Sequence, residues 1–560
     1  MRYEELCDLY EKISQTTKRL EKTDILVQFL SNLENPKLIY LLSGRVLPEY
    51  DLREIGISQQ ILIKAISKSF GIKTTDVINE FKELGDLGDV AESLIKKRNQ
   101  SFLFSSDLTS EKIFENLLKI LDLEGIGAIE KKISLISELY SIAKPIEAKY
   151  LSRTILGNLR IGISTPTIID AISKLFFNGE FKELVQEKYN LSNDFVEIFN
   201  ASKKGIKELE KISLNTTKPL NVMLAVKVDS FEEAFEVCGK PAAIEQKYDG
   251  FRMVISKSKL GDISLFTRKL ENVTAQFPDV VERIKKNIKG KSFILDSEIV
   301  GFNRETKKYL PFEAISQRIR RKYDIEDLIE KLPVEINIFD CIYLDGKDLT
   351  KKSFLERRKI LEKIIKIEEL KIRPAVQIVT DDLKKAEEFF QEALELGEEG
   401  VMIKRLDAEY HSGRKVGYMC KLKPVMEDLD LVIIGAEYGT GKRSGSLTSF
   451  ILACKNGEEL LEIGRVSSGL KEKEEEGLTY EQMTEILKPL IESEENNIVT
   501  LSPKIVVMVN YQNIQPSPSY SSGFALRFPR IVRYRPDKSW KDIASLDEIK
   551  EEVKKSRAKL

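Results

Sequence analysis

The chain has 560 residues, room for about three or four domains with cores of their own, and its 42% hydrophobic and 32% charged residues exclude a mini-protein, a disordered chain and a collagen-like one. Lys and Arg total 89 against 90 Asp and Glu, a formal net charge of −1, so no global basic field marks a nucleic-acid partner and local clusters must carry any such signal. Five cysteines without a C-x-x-C (Cys7, Cys238, Cys341, Cys420, Cys454) exclude a disulfide framework and a cysteine zinc site, and the single histidine, His411, excludes His-clustered metal centres.

Any catalysis is therefore expected from Lys, Arg, carboxylates and a metal held by oxygen. No run approaches the roughly 18 uncharged apolar residues of a membrane span, and the first five residues already carry Glu4 and Glu5, so the expected location is cytoplasmic.

In chain order, residues 1 to 215 read as helical. Thr23 is an expected N-cap ahead of Ile25, Leu26, Phe29 and Leu30, and Ile113, Leu117, Ile120 and Leu121 repeat the same spacing of three and four. From Lys218-Pro219 to about residue 425, short β-branched runs (Met253 to Ile255, Phe293 to Leu295, Ile336 to Ile342, Val401 to Ile403) alternate with helical stretches (Phe354 to Ile367, Leu383 to Leu396), which predicts an α+β domain on antiparallel sheets. Residues 426 to 560 hold further strands (Leu431 to Ile434, Phe450 to Ala453, Leu460 to Val466, Ile505 to Val509) around an acidic helical insert near Lys471 to Asn497. A small β-barrel of the OB type is the natural expectation. The fold class is thus multidomain: an all-α N-terminal domain, a central α+β domain and a C-terminal barrel.

The most informative segment is Glu245-Gln246-Lys247-Tyr248-Asp249-Gly250-Phe251-Arg252, after the apolar Ala242-Ala243-Ile244. By itself K-x-D-G is weak, since Asp-Gly is a common turn and a nearby Lys is usually solvated. It gains weight from five segments that come after it in the chain: Phe266-Thr267-Arg268, Asp296-Ser297-Glu298, Phe339-Asp340, Glu399-Gly400-Val401-Met402-Ile403-Lys404 and Lys421-Leu422-Lys423. This succession resembles the nucleotidyltransferase motifs of ATP-dependent DNA ligases of the archaeal and eukaryotic type. Upstream, Glu147 to Gly162 is similar to the signature of the ligase DNA-binding domain. Downstream, Arg527-Phe528-Pro529-Arg530 and Arg535-Pro536-Asp537-Lys538-Ser539-Trp540 are similar to the last ligase motif.

The resemblance implies nick sealing in duplex DNA with ATP and Mg2+ or another divalent cation, in replication, repair and recombination, by a monomer around its duplex. It makes the central segment an adenylation domain and Lys247 the catalytic nucleophile. AMP would be carried on Lys247, passed to the 5′-phosphate of the nick and displaced by the 3′-hydroxyl. Glu245, Arg252, Arg268, Glu298, Phe339, Lys421 and Lys423 would hold the nucleotide, with Phe339 stacking on the base. Glu298 and Glu399 would hold the metal, because magnesium takes one or two carboxylates plus phosphate oxygens and water. Arg535 and Lys538 would orient the β and γ phosphates. The family commonly has an arginine six residues before the first lysine of Lys421-Leu422-Lys423; that spacing lands on Lys415, with Arg414 adjacent, and both remain candidates. Lys149, Arg153 and Arg160, at i, i+4 and i+11, would share a helix face toward backbone phosphates. Gln100, Phe102 and Phe104 resemble a docking peptide for a sliding clamp, although Leu103 breaks the usual aromatic pair.

The residue chemistry supports part of this independently. A lysine attacks phosphorus only as a free amine, and its ordinary pKa is about 10.4; clustering with Arg252, Lys421 and Lys423 and burial against Ile244 and Phe251 would disfavour its charge. Segment 401 to 424 carries six basic and two acidic residues, and 527 to 541 six basic residues against Asp537; solvated faces are the plain alternative. An mRNA capping guanylyltransferase or RNA ligase shares the Lys247 core, but the helical 215 residues argue against both. A non-catalytic single-strand binder using its barrel is opposed by the Lys247, Glu298, Glu399 and Lys421 set.

Overall fold

The computed structural model describes residues 1–51, 53–97, 107–125, 127–310, 312–320, 325–414, 417–424, 428–439, 443, 445–472, 478–495, 497–511 and 513–558. The clamp-docking candidates Gln100, Phe102 and Phe104 and the nucleotide candidate Lys415 lie outside them. Two compact units result: residues 1–393 with 398–422, and residues 394–397 with 423–560. No described helix is long and apolar enough to cross a membrane.

The first unit begins with helices packed on one core. Ser110–Leu121 shows why: the Thr109 hydroxyl caps the Lys112 N–H at 3.1 Å, and Ile113, Leu117, Ile120 and Leu121 are buried. Thr23 is a correction. The helix runs Arg19–Ser31, and Thr23 lies inside it, its hydroxyl donating to the Arg19 carbonyl at 3.0 Å. A mid-helix threonine bonded to the carbonyl four residues back offers no cap. Arg160 is a second correction. The helix of Lys149 and Arg153 ends at Ile155, and Arg160 comes after it with φ +57°, so the three cations share no single helix face.

Two sheets come next in the chain. A seven-stranded sheet has the path Ile372–Pro374, Val334–Leu344, Phe293–Phe302, Phe251–Lys257, Ile263–Thr267, with Tyr309–Leu310 and Lys347–Asp348 attached. A five-stranded sheet has the order Gln377–Thr380, Ala242–Lys247, Gly400–Arg405, Met419–Leu422, Val226–Val228. Strand residues alternate faces, so Met253, Ile255, Leu295, Ile299, Ile336 and Ile338 build the core of the first sheet and turn Arg252, Asp296, Glu298 and Asn337 to its opposite face. In the second sheet Ala242, Ile244, Val401, Ile403, Cys420 and Leu422 are the core face, which leaves Glu245, Lys247, Met402, Lys404 and Lys421 on the other.

The second unit is strand-rich. Its path is Glu459–Val466, Leu447–Asn456, Asp428–Tyr438, Ile498–Asn510, Ile491–Glu495, with Arg530–Tyr534 also on Ile498–Asn510. Closure into the expected barrel is not among the described pairings. Among its described residues the acidic insert is less helical than its composition suggests: an α-helix covers Tyr480–Leu487, where Thr479 and Gln482 form a capping box, a 3-10 turn follows at Lys488–Leu490, and Ile491–Glu495 is a strand.

Candidate functional site

Lys247 closes the strand Ala242–Lys247, and the residue just before the neighbouring strand Gly400–Arg405 reaches it twice. The Glu399 N–H donates to the Lys247 carbonyl at 2.9 Å, and the Glu399 carboxylate takes an ion pair with the Lys247 amine. Lys247 keeps 21% of its side chain exposed and Glu399 13%, enough for a ligand to reach both. Gly250, next along, is required by a close approach: a Cβ there would lie 2.3 Å from the Ile299 carbonyl oxygen. The constraint is thus the Ile299 backbone, besides any nucleotide. Asp249 donates its N–H to Glu398 at 3.1 Å, and its carboxylate accepts the Phe312 N–H at 3.4 Å.

On the larger sheet, Arg252, Glu298 and Asn337 form one cross-strand row. Arg252 binds buried Asp296 through two hydrogen bonds, 2.9 and 2.6 Å, and donates to the Met223 carbonyl at 2.7 Å; the Tyr410 hydroxyl also donates to Asp296, at 2.9 Å. Burial pushes the Glu298 carboxyl up to about 8; Glu399 and Asp296 push the same way, against the pull of Lys247 and Arg252. Burial likewise holds Glu398 well above the ordinary carboxyl range, with Asp249 and Glu298 adding to it, against its hydrogen bond from Asp249 and the pull of Lys247. The cation cluster expected to disfavour charge on Lys247 is therefore corrected in part. Carboxylates crowd the amine, and the charge of Arg252 is met by Asp296.

Phe339 sits where the register with the Glu298 strand shifts, since Ser297 pairs with Ile338 and Asp296 with Asp340. Its ring has the Lys404 amine 4.5 Å and the Arg252 guanidinium 5.3 Å from its centroid. Glu245 is buried and held by Lys404 at 2.6 Å, Gln377 at 2.9 Å and Arg358 at 3.5 Å. Lys421 lies opposite Met402, on the face of Lys247. Arg268 is exposed in the turn after Ile263–Thr267. Arg414 is in the strand Gly413–Arg414, its side chain outside the described residues.

Lys423, Arg535 and Lys538 belong to the second unit. There Arg535 pairs with Asp430 at 3.1 Å and Asp537 at 2.7 Å, and Lys538 with Asp430 at 2.7 Å. In the helical part, Lys149 binds Glu11 at 2.8 Å, Arg153 binds Asp86 and Asp89 at 3.1 Å each, and Arg160 binds Asp86 at 2.9 Å. These three charges are met within the domain.

Four residues of the site had no assigned role in the sequence: Asp296, Tyr410, Asn337 and Glu398. Asp296 could have been found, because Arg252 and Asp296 fall on strands whose alternation turns both away from the core. Asn337 could not: its amide is wholly buried, and neither its nitrogen nor its oxygen has a partner. Among the described residues no set of three or more His, Cys, Asp or Glu is arranged to hold a metal alone. An ion at Glu298 and Glu399 would need further oxygen ligands, as magnesium draws from phosphates and water.

Comparison with known proteins matches residues 222–423 to a family described as ATP dependent DNA ligase domain, 2–173 to DNA ligase N terminus and 443–538 to ATP dependent DNA ligase C terminal region. The chain is 45% identical over 558 residues to a DNA ligase of Nanoarchaeum equitans and 39% identical over 558 residues to one of Thermococcus fumicolans, in both cases across 98% of each chain. A solved structure described as Pmar-Lig_Pre. has the same fold, with a TM-score of 0.60 at 16% identity over 94% of this chain and 98% of that one.

Proposed function

The chain belongs to the ATP-dependent DNA ligases, and from that premise we propose that it seals nicks in duplex DNA through an adenylate carried on Lys247. The observation that carries this reading is the Lys247 amine, accessible and paired with Glu399 on the sheet face that also bears Glu245 and Lys421.

The amine attacks the α-phosphorus of ATP; the N–P bond forms, the bond to the bridging oxygen breaks and pyrophosphate leaves. The amine must first give up a proton, and Glu399, already on it, is the group best placed to receive one. Arg252 is held rigid by Asp296 and the Met223 carbonyl, so its remaining N–H donors are preorganised toward the phosphates or ribose. Phe339, with cations on its ring, offers a stacking surface to the base. The 5′-phosphate of the nick then takes AMP from Lys247, and the 3′-hydroxyl displaces it.

Glu298 and Glu399 fit a divalent cation, since both are carboxylates and the burial that holds the Glu298 carboxyl up at about 8 would be opposed by added positive charge. When bound, the ion would neutralise phosphate charge. Lys415, Arg414, Lys421 and Lys423 are further nucleotide contacts in this reading, and Arg268 reaches from its turn. Glu245 has its lone pairs largely engaged, which supports a role in shaping the base pocket through Lys404 and Gln377. Arg160, with 32% of its side chain exposed, is better placed than Lys149 or Arg153 to meet a backbone phosphate. Clamp docking through Gln100, Phe102 and Phe104, a monomeric state, a cytoplasmic location and duties in replication, repair and recombination complete the proposal.

The test is incubation of the full chain with α-labelled ATP, GTP or NAD and magnesium, then with nicked duplex. Label is expected from ATP alone, on Lys247, and chased into DNA. Lys247→Ala should form no adenylate yet seal some pre-adenylylated nick. A covalent adenylate in that variant would move the nucleophile to another lysine.

A further inference from the structure

Three anchors hold the link from Lys247 to Phe251. The Tyr248 hydroxyl accepts the Val376 N–H at 3.0 Å, Gly250 lies against the Ile299 carbonyl, and the Asp249 N–H donates to the Glu398 carboxylate at 3.1 Å. The last comes from the residue beside Glu399. Two successive carboxylates thus grip the same short segment at two points, Glu399 on the Lys247 amine and Glu398 on the main chain two residues further on.

The cost of the second grip is visible. Glu398 is 5% exposed, and its Oε1 has no hydrogen-bond partner. A carboxyl group taken out of water for one main-chain hydrogen bond is a poor framework element, because desolvation of the unpaired oxygen outweighs what one such bond returns. A serine hydroxyl or a main-chain carbonyl would cap the same N–H without an orphaned buried oxygen. An unsatisfied buried group of this kind points to a use beyond stability.

We infer that Glu398 is a positioning residue for the Lys247 nucleophile: by fixing the Asp249 N–H it closes the chain immediately after Lys247 and holds the amine in line with Glu399. The inference rests on Lys247 as the nucleophile. Its effect should appear in the rate of the first chemical step and not in nucleotide affinity, since displacement of an attacking group by about 1 Å costs on the order of 100-fold in rate.

The experiment is single-turnover adenylylation of the full chain over a range of ATP concentrations. Glu398→Ala is expected to lower the limiting rate about 30-fold while changing half-saturation less than about threefold. Glu398→Gln, which keeps an oxygen able to accept the Asp249 N–H, should stay within about threefold of wild type in rate. An Ala protein as fast as wild type, equal losses in Ala and Gln, or a loss confined to ATP affinity would each overturn the inference. Should the Ala protein not fold, Gln decides alone: a rate within about threefold supports the inference, and a larger loss overturns it. Failure of the nucleophile reading looks different, because the wild-type label would then sit on another lysine whatever is done at position 398.

Discussion

The helix Pro145–Ile155 and the Lys247 pocket are both dense in buried and half-buried charge, but the accounts differ. Around the helix, Lys149, Arg153 and Arg160 meet Glu11, Asp86, Asp89 and Glu92 at 2.8 to 3.7 Å. Lys149 is held above its ordinary pKa there: burial pushes it down, and the hydrogen bond and attraction of Glu11, with Asp89, outweigh that. Around Lys247, burial drives Glu298 and Glu398 upward and the Asn337 amide is unmatched. Charges that satisfy one another make architecture. Groups left short of partners are what a site completed by a ligand is expected to show.

The largest expected effect tests whether that contrast extends to the second unit, where Arg535 and Lys538 both rest on Asp430 and so look like architecture. Replacing both by alanine is expected to slow adenylate formation about 10³-fold, with far less effect on sealing a pre-adenylylated nick. Equal losses in the two assays would class the pair with the helical lattice instead. Next in size is Arg153→Ala. It strips buried Asp86, at 6% exposure, of one of its two cations and Asp89 of another, and should remove about 3 kcal/mol of unfolding free energy in denaturant melts. The adenylation rate of the folded protein should be unchanged, and a drop in that rate would tie the lattice to the chemistry.

The comparison also shows why the sequence read well in some places and poorly in others. Strands such as Val334–Leu344 and Gly400–Arg405 carry an alternation visible from the residues, so the strands of the central domain were legible, whereas Glu298 and Glu399 entered only through the motif resemblance. Charge partners were not legible. Lys149 and Glu11 are 138 positions apart and Arg153 and Asp86 are 67, and no local pattern tells a phosphate ligand from an internal ion pair. Thr23 failed for a similar reason: a cap and a mid-helix threonine are the same residue, and the tertiary start at Arg19 decides between them. The corrected surroundings of Lys247 have the same origin, since Asp296 claims Arg252 across paired strands.

A smaller effect is expected from Glu298. Its carboxyl is raised from 4.5 to about 8 in the folded chain, so between those values the folded state binds more protons than the unfolded one and stability falls as pH rises. The contribution is fully present below about pH 4.5 and gone above about pH 8, worth on the order of 2 kcal/mol once partial exposure is discounted. Thermal melts from pH 5 to 8 should show this decline in the wild type and lose most of it in Glu298→Gln. Magnesium with ATP should flatten the wild-type slope as well, because added positive charge favours the ionised carboxylate. An identical slope in Glu298→Gln would remove Glu298 as its source.

The smallest expected effect is the sharpest test of whether unmatched groups mark a ligand site. Asn337 is wholly buried, faces the same side as Glu298 and lies two residues before Phe339, yet neither end of its amide is bonded. Replacement by leucine, close in shape, removes that desolvation penalty and should stabilise the protein by about 1 kcal/mol. If the amide is kept for a ligand, the same substitution should weaken ATP binding or slow adenylation while the melt improves. Opposite signs in the two assays are what separate the pocket from the lattice, where Arg153→Ala should lose stability alone. A stabler Asn337→Leu protein with unaltered adenylation kinetics would show that an unmatched amide can persist beside this site without serving it.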